Sequence, residues 1–309
     1  MTTPLKLGDV SVMLADSRAH IRATLKTALT HAGLENVDQT GNIDMIAESL
    51  NQGLGPDLLI CDMELKNGEA CDLVQSIRQN EIGKNPFLCI LGITWNPTET
   101  EVQKVIDSGV DLLVAAPMSP KQILNRVEAL VHARMPFVAT SDYVGPDRRK
   151  ENEREQTVPL IDVPNALRNK ALGTWNQTLL EREIERTTFR IKASKVERQA
   201  DDIVQIAEII FDQTNQADTA VARSQLDRLY ILASDLDQRT QQQGFGHISE
   251  LCQACVGVVR KMIASDGALA KKDLLLLKHL ALAIRKSMRP DEHETATVHD
   301  IAQTVIAAR

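Results

Sequence analysis

Five apolar, β-branched segments, each followed by a segment with helical periodicity, succeed one another along the first part of the chain. Strands that are apolar almost throughout are buried on both faces, and alternation with helices makes neighbouring strands parallel. The pattern predicts an α/β doubly wound, five-stranded parallel sheet within a domain of residues 1–135. The predicted strands are residues 10–16, 36–41, 57–62, 87–94 and 111–116.

Polar side chains end three of these predicted strands: Asp16, Asp62 and Thr94. The carboxyl ends of parallel strands share one edge of the sheet, where the sites of open α/β sheets form. Two neighbouring carboxylates repel each other and attract a hard cation such as Mg²⁺. A carboxylate held beside that cation can attack a phosphoryl group. The alternative, three ordinary loop residues, is weakened because all three fall at the ends of strands one, three and four.

Four segments around these residues give residues 10–134 a resemblance to the receiver domain of chemotaxis-type response regulators. The segments are LADSRAHIR, PDLLICDMELKNGE, ILGIT and SGVDLLVAAPMSPKQIL. The resemblance implies a flavodoxin-like fold, Asp62 as the phosphoacceptor, Thr94 as the switch hydroxyl and a cis peptide at Ala116-Pro117. It also implies a phosphoprotein in a two-component phosphorelay, with a sensor kinase or phosphotransfer protein as partner.

The same resemblance implies Mg²⁺ bound by Asp16, Asp62 and the backbone carbonyl of Glu64. Three residues depart from the family pattern: Ala15, Leu113 and Ala116. They stand where the family has a second acidic residue, an aromatic switch residue and a lysine, respectively. Fewer carboxylates weaken Mg²⁺ binding, and loss of the lysine removes a charge-assisted contact to the phosphoryl group. We therefore expect a weak Mg²⁺ site and damaged coupling.

Two functions remain open at this point. The first is an atypical response regulator whose Asp62 is phosphorylated and whose helical domain binds a partner protein. The second is a phosphorylation-independent scaffold or sequestering adaptor built on a degenerate receiver. Residues 171–309 contain no catalytic motif that we recognise, so we expect no enzymatic activity.

Residues 136–170 are charged, contain prolines and have no steady period, which predicts a linker. Within it, the segment YVGPDRRK has two interpretations. It is either a turn with solvated arginines or a short docking element in which Tyr143, Arg148 and Arg149 contact a domain.

Residues 171–309 show helical periodicity throughout, which predicts an all-α bundle with a long first helix and a short last helix at residues 297–308. The first helix carries an a/d seam with alternating spacings of four and three: Phe189, Ala193, Val196, Ala200, Ile203, Ala207 and Ile210.

The segment LASDLDQRTQQQGFGHISEL weakly resembles the active helix of a histidine phosphotransfer (Hpt) domain. The Hpt-like bundle that this implies would comprise residues 171–290. Ser234 stands at the position of the family's histidine and Asp237 at that of its lysine. A serine hydroxyl does not replace imidazole as a reversible phosphoryl carrier. The resemblance therefore implies an Hpt-like shape without the chemistry, and an unrelated helical bundle is the alternative.

The start of the long helix predicts an association surface. Its apolar strip comprises Trp175, Leu179, Ile184 and Phe189, flanked by charges of both signs. A long apolar stripe must be covered, most simply by a second copy in a homodimer. The alternative is that the strip folds back on the receiver or the linker.

Composition argues against nucleic acid as a partner. The chain has 35 Lys+Arg against 42 Asp+Glu, a net charge of −7, and only 3% aromatic residues. These values give no support for nucleic-acid binding. An odd number of cysteines, 5, indicates reduced thiols. With no signal peptide or membrane-spanning run evident, we expect a cytoplasmic protein without membrane insertion.

Overall fold

The computed structural model describes residues 5–65, 70–140, 142–149, 158–215, 219–242, 246–265 and 269–288. Two compact units make up the chain, residues 1–191 and residues 192–309. The predicted C-terminal helix at residues 297–308 and the loop residues Lys66 to Gly68 lie outside the described residues.

The first unit contains the predicted five-stranded parallel sheet, in the order β2-β1-β3-β4-β5. Its elements alternate as predicted: β1 (Ser11–Ala15), α1 (Ala19–His31), β2 (Asn36–Thr40), α2 (Ile43–Asn51), β3 (Leu58–Asp62), α3 (Ala70–Arg78), β4 (Cys89–Thr94), α4 (Glu99–Asp107), β5 (Leu112–Ala115) and α5 (Pro120–His132).

The central strand β3 shows why the sheet needs helices on both faces. All five of its residues are buried. Leu58 and Ile60 belong to one apolar cluster, whereas Leu59 and Cys61 belong to another. Because successive side chains of a strand point to opposite faces, the two clusters are the cores on the two sides of the sheet.

Capping side chains fix where several helices begin. Asn42 accepts a hydrogen bond from the amide of Asp44 at the start of α2, and Thr98 accepts one from Glu101 at the start of α4. Ser119 and Gln122 form a reciprocal capping box at the start of α5. The Ala116-Pro117 peptide is cis, as expected.

The chain after α5 stays in the first unit and forms a separate two-stranded sheet there. Two short strands, β6 (Phe137–Ala139) and β7 (Val144–Pro146), pair antiparallel and are buried throughout. Phe137 is fully buried and meets the Phe87 ring edge-on, with 6.1 Å between ring centroids. A helix α6 (Ala166–Ala171) follows, and Leu167 joins the same apolar cluster as α1 and α5.

A buried ion cluster fastens this region to the sheet. Asp111, just before β5, accepts hydrogen bonds from Arg78 Nη2 at 2.9 Å and from Arg134 Nε at 2.7 Å. Both guanidinium groups lie over the ring of Phe137, each 5.1 Å from its centroid. Buried charges are tolerated when they are paired and hydrogen-bonded in this way.

The predicted linker of residues 136–170 therefore needs correction. Strands β6 and β7 and helix α6 are parts of the first unit. The docking interpretation of YVGPDRRK fits the contacts: Arg148 Nη2 donates to the carbonyls of Val110 and Asp111, at 2.7 and 3.0 Å. The segment has no steady hydrophobic period because its strands are only three residues long.

The second unit is helical, as predicted. Helix α7 (Gln177–Asn215) begins in the first unit and ends in the second, followed by α8 (Thr219–Gln242), α9 (Gly246–Ala264) and α10 (Lys271–Met288). Residues 196–210 of the predicted seam are confirmed as core, packed with α8 residues such as Leu229 and Leu236. Phe189, placed in the same seam, is 60% exposed. Among the described residues, no helix is long and apolar enough to cross a membrane.

The burial of Phe137 predicts a large cost for its removal. We expect Phe137→Ala to lower the free energy of unfolding by about 3 kcal/mol, since truncating a buried phenylalanine loses its transfer energy and leaves a cavity. Urea unfolding followed by tryptophan fluorescence measures this, because Trp95 and Trp175 both lie in the first unit. The control is Met45→Ala on α2, whose side chain is 52% exposed, with an expected change below about 0.5 kcal/mol. Equal, small effects of the two substitutions would restore the linker interpretation.

Candidate functional site

The three predicted strand-end residues meet at the carboxyl edge of the sheet. Asp16 follows β1, Asp62 ends β3 and Thr94 ends β4, and these strands are neighbours in the sheet. Parallel pairing brings them level, since Ala15 is the register partner of Cys61, and Asp62 that of Ile93. The exposed fractions of Asp16, Asp62 and Thr94 are 0%, 2% and 2%. The two carboxylates are thus held at one place and largely removed from water.

A guanidinium group bridges these carboxylates. Arg18 Nη2 lies 2.8 Å from Asp16 Oδ2 and 2.8 Å from Asp62 Oδ2. Arg18 Nε donates to Asp16 Oδ1 at 2.9 Å, so the contact with Asp16 is bidentate. The backbone amide of Arg18 also donates to Asp16 Oδ1, at 2.8 Å. Arg18 is therefore fixed by both its backbone and its side chain.

The remaining oxygen of the pair is also engaged. Asp62 Oδ1 accepts a hydrogen bond from the backbone amide of Glu64 at 3.1 Å. Each of the four carboxylate oxygens of Asp16 and Asp62 thus receives at least one protein donor.

Two further side chains hold the loop after β4 against Arg18. The Arg18 guanidinium carbon lies 3.7 Å from the centroid of the Trp95 ring, within cation–π range. Glu64 Oε1 accepts hydrogen bonds from the amides of Trp95 and Asn96, both at 3.0 Å. The loops after β1, β3 and β4 are thereby joined through side chains.

The site shifts the pKa of both partners. The hydrogen bond with Asp16 raises the pKa of Arg18 above its ordinary value, although burial acts in the opposite direction. Burial raises the pKa of Asp62, against the lowering effects of the Glu64 amide and Arg18. Arg18 is thus charged at every physiological pH, and it stabilises a carboxylate that burial disfavours.

None of the three residues that depart from the family pattern supplies a ligand or a cation at this edge. Ala15 is fully buried in the core and offers no carboxylate. Leu113 is half-buried and packs beside the same core. The amide of Ala116 donates to the Thr94 carbonyl at 2.8 Å, but its methyl side chain carries no charge.

The residues of this site do not fit Mg²⁺. The ion prefers octahedral oxygen ligands, yet each of the four carboxylate oxygens already accepts an N–H donor, and the Arg18 guanidinium lies between the two carboxylates that would hold the ion. Glu64 donates its amide to Asp62 Oδ1, and its side chain accepts from the β4–α4 loop; neither contact involves the backbone carbonyl that was expected as a ligand. Among the described residues, no group of three or more histidine, cysteine or acidic side chains forms a metal-binding cluster. In this structure the Arg18 guanidinium lies between the two carboxylates on which the expected weak Mg²⁺ site depends.

Arg18 and Trp95 are the functional residues that sequence reasoning missed. Arg18 stands two residues after Asp16 in LADSRAHIR, and Trp95 immediately follows Thr94. The signal for Arg18 is its spacing, because a residue two positions past a strand-end carboxylate lies within reach of that carboxylate. The spacing alone does not say whether the guanidinium turns inward or outward.

The predicted association strip is only partly exposed. Ile184 is 5% exposed and packs in the cluster that contains Phe87 and Phe137, so it was wrongly assigned to an intermolecular surface. Trp175, Leu179 and Phe189 are 38%, 55% and 60% exposed. The side of α7 that carries Ile184 is thus covered within the first unit, as the fold-back alternative required for that residue.

The two Hpt-related positions lie on α8. Ser234 is half-buried, and Asp237 Oδ1 accepts hydrogen bonds from Ser249 Oγ at 2.5 Å and Gln241 Nε2 at 3.0 Å. Asp237 thus links α8 to α9. Nothing in this arrangement adds support for an Hpt relationship.

Comparison with known proteins agrees with the geometry of the first unit. Residues 12–128 match the family model of the response regulator receiver domain. This part of the chain is therefore a receiver domain, and it indicates two-component signalling. The Hpt-like interpretation of the helical part is not confirmed by these matches.

A hybrid signal transduction histidine kinase I of Dictyostelium discoideum is 25% identical over 123 residues, which is 39% of this chain but only 7% of that kinase. Chemotaxis protein CheY4 of Vibrio cholerae is 19% identical, with coverage of 38% of this chain and 96% of that one and a TM-score of 0.35. A receiver domain from Bermanella marisrubri is 19% identical, with coverage of 40% and 98% and a TM-score of 0.36.

The ion pair predicts a measurable dependence of the Asp62 pKa on Arg18. We expect Asp62 to titrate above the ordinary aspartate value of about 3.9, and still higher in Arg18→Gln, because the guanidinium favours the ionised carboxylate. Carboxyl-carbon NMR of aspartate-labelled protein measures both values, with exposed Asp38 as the internal control. An Asp62 pKa that is unchanged or lower in Arg18→Gln would contradict the bridging geometry.

Proposed function

We propose that this chain is a two-component signalling adaptor whose receiver domain acts by protein–protein interaction without phosphorylation of Asp62. The observation that carries the proposal is the Arg18 bridge, with 2.8 Å contacts to both Asp16 and Asp62. The proposal follows the second of the two functions left open by the sequence.

Phosphorylation of Asp62 would require one of its oxygens to attack a phosphoryl group as a nucleophile. Here Oδ2 accepts from Arg18 and Oδ1 accepts from the Glu64 amide. An incoming phosphoryl group brings additional negative charge, which the resemblance to the receiver family implies is offset by Mg²⁺ and a lysine. Arg18 is already paired with two carboxylates, and Ala116 provides no second cation. The arrangement favours a carboxylate that stays unmodified.

The proposed partners follow from the class of the domain. A sensor kinase or phosphotransfer protein would bind the receiver surface without transferring phosphate to it, so that the chain occupies the partner and acts as a sequestering or scaffolding adaptor. In the same proposal, the helical domain supplies a second protein-binding surface, and the chain carries no enzymatic activity of its own.

The proposal predicts that the wild-type chain takes up no phosphate from acetyl phosphate in the presence of Mg²⁺. Intact-mass spectrometry should give the same mass before and after incubation, for the wild type as for Asp62→Asn. Ala116→Lys is the matched variant: it restores the absent lysine but leaves both Asp62 oxygens engaged, and we expect it to stay unmodified. A phosphorylated species in the wild type that disappears in Asp62→Asn would establish the phosphorylated response regulator instead.

Self-association belongs to the same proposal. The exposed members of the predicted strip lie at the start of α7 or just before it, and two of them are large side chains more than half exposed, Leu179 at 55% and Phe189 at 60%. Large exposed apolar side chains on a helix with flanking charges are typical of association surfaces. A second copy of this chain would cover them in a homodimer.

We predict that light scattering gives a dimer for the wild type and a folded monomer for the double variant Leu179→Asp with Phe189→Asp, because buried carboxylates oppose association. The matched control is Ile231→Asp on α8, whose side chain is 67% exposed and which should leave the dimer intact. A monomeric wild type at tens of micromolar would exclude the homodimer.

A further inference from the structure

We propose that Arg18 is a built-in cation that permanently takes the position of a divalent metal between Asp16 and Asp62, and that it holds the β4–α4 loop in one conformation through Trp95. This inference deepens the proposed function, on which it rests, by naming the group that keeps the site in a single state. Arg18 acts here as a positioning residue.

The charges at this edge require a counter-cation. Asp16 and Asp62 are 0% and 2% exposed, and two buried carboxylates side by side are unstable without one. Arg18 supplies it at 2.8 Å from each. Its planar guanidinium binds both oxygens of Asp16 and still reaches Asp62. The ammonium group of a lysine, a point charge, cannot make this set of contacts.

The position of Arg18 in the chain keeps its guanidinium next to Asp16. Arg18 is the N-cap residue of α1, and its backbone amide is bonded to the same Asp16 carboxylate that its side chain contacts. A tethered group acts at a high effective concentration. A metal ion from solution must displace it and also lose part of its own hydration shell.

The loop after β4 is connected to this cation instead of to a metal. Trp95 stacks on the guanidinium at 3.7 Å. Glu64, two residues after Asp62, holds the backbone of Trp95 and Asn96 at 3.0 Å. Ligand-free and metal-rich solutions should therefore give the same loop conformation, because both anchors are side chains of this chain.

Removal of the guanidinium should leave two carboxylates between which a divalent cation can bind. The test is a titration of the full chain with MgCl₂ at constant ionic strength, with Trp95 fluorescence as the reporter in a Trp175→Phe background. We expect no saturable change with Arg18 present. In Arg18→Gln, we expect a saturable change at millimolar Mg²⁺, which is lost when Asp16→Asn is added.

Two further variants and a folding measurement make the outcome decisive. Arg126→Gln, an exposed arginine on α5, should behave as the parent. Circular dichroism in a chelator reports whether Arg18→Gln folds, and its melting temperature should rise with Mg²⁺ while that of the parent does not. If Arg18→Gln does not fold, Arg18→Lys decides: its ammonium lacks the planar fork that engages both carboxylates, so it should show a saturable response to Mg²⁺ that the parent lacks.

Saturable Mg²⁺ binding by the parent chain would overturn the inference. A folded Arg18→Gln variant that does not respond to Mg²⁺ would overturn it as well. If Arg18→Gln does not fold, a folded Arg18→Lys variant without a response to Mg²⁺ has the same consequence. No phosphodonor is present in this titration. A parent chain that binds no Mg²⁺ but is phosphorylated in the separate acetyl phosphate assay would contradict the proposed function and leave the Arg18 inference standing.

Discussion

The contact between Arg18 and the two carboxylates at the end of the sheet is the interaction on which the rest of the site depends. Parallel pairing of β1 with β3 brings Asp16 and Asp62 together, and burial makes their charge costly. Arg18 compensates that charge from within the chain. The stacking of Trp95 and the position of the β4–α4 loop then follow from where the guanidinium lies.

At the opposite end of the sheet, a buried aspartate is also paired with arginine side chains, and there the contact stabilises the fold. Asp111 precedes β5 and binds Arg78 and Arg134, so one buried acid is shared by two buried bases. Loss of one partner in such a cluster leaves an uncompensated buried charge, which is strongly destabilising. Phe137, packed against both guanidinium groups, links this cluster to β6 and extends the receiver domain beyond α5.

Much of the receiver could be predicted from the sequence because its signals are local. The alternation of apolar strands and amphipathic helices predicts the sheet, and the convergence of Asp16, Asp62 and Thr94 follows from parallel topology. Arg18 was missed because a side chain's direction depends on the loop conformation. The extent of the linker was wrong because β6 and β7 are held by distant residues, and Ile184 was misplaced because heptad spacing does not say which surface covers a helix.

The central claim is that a guanidinium, and not a metal, lies between Asp16 and Asp62. A crystal structure of the full chain grown in Mg²⁺ tests this most directly. The account predicts density for Arg18 within about 3 Å of both carboxylates, the distance of charge-assisted hydrogen bonds, and no metal between them. A hydrated Mg²⁺ bound by Asp16 and Asp62, with the Arg18 side chain turned toward solvent, would contradict it.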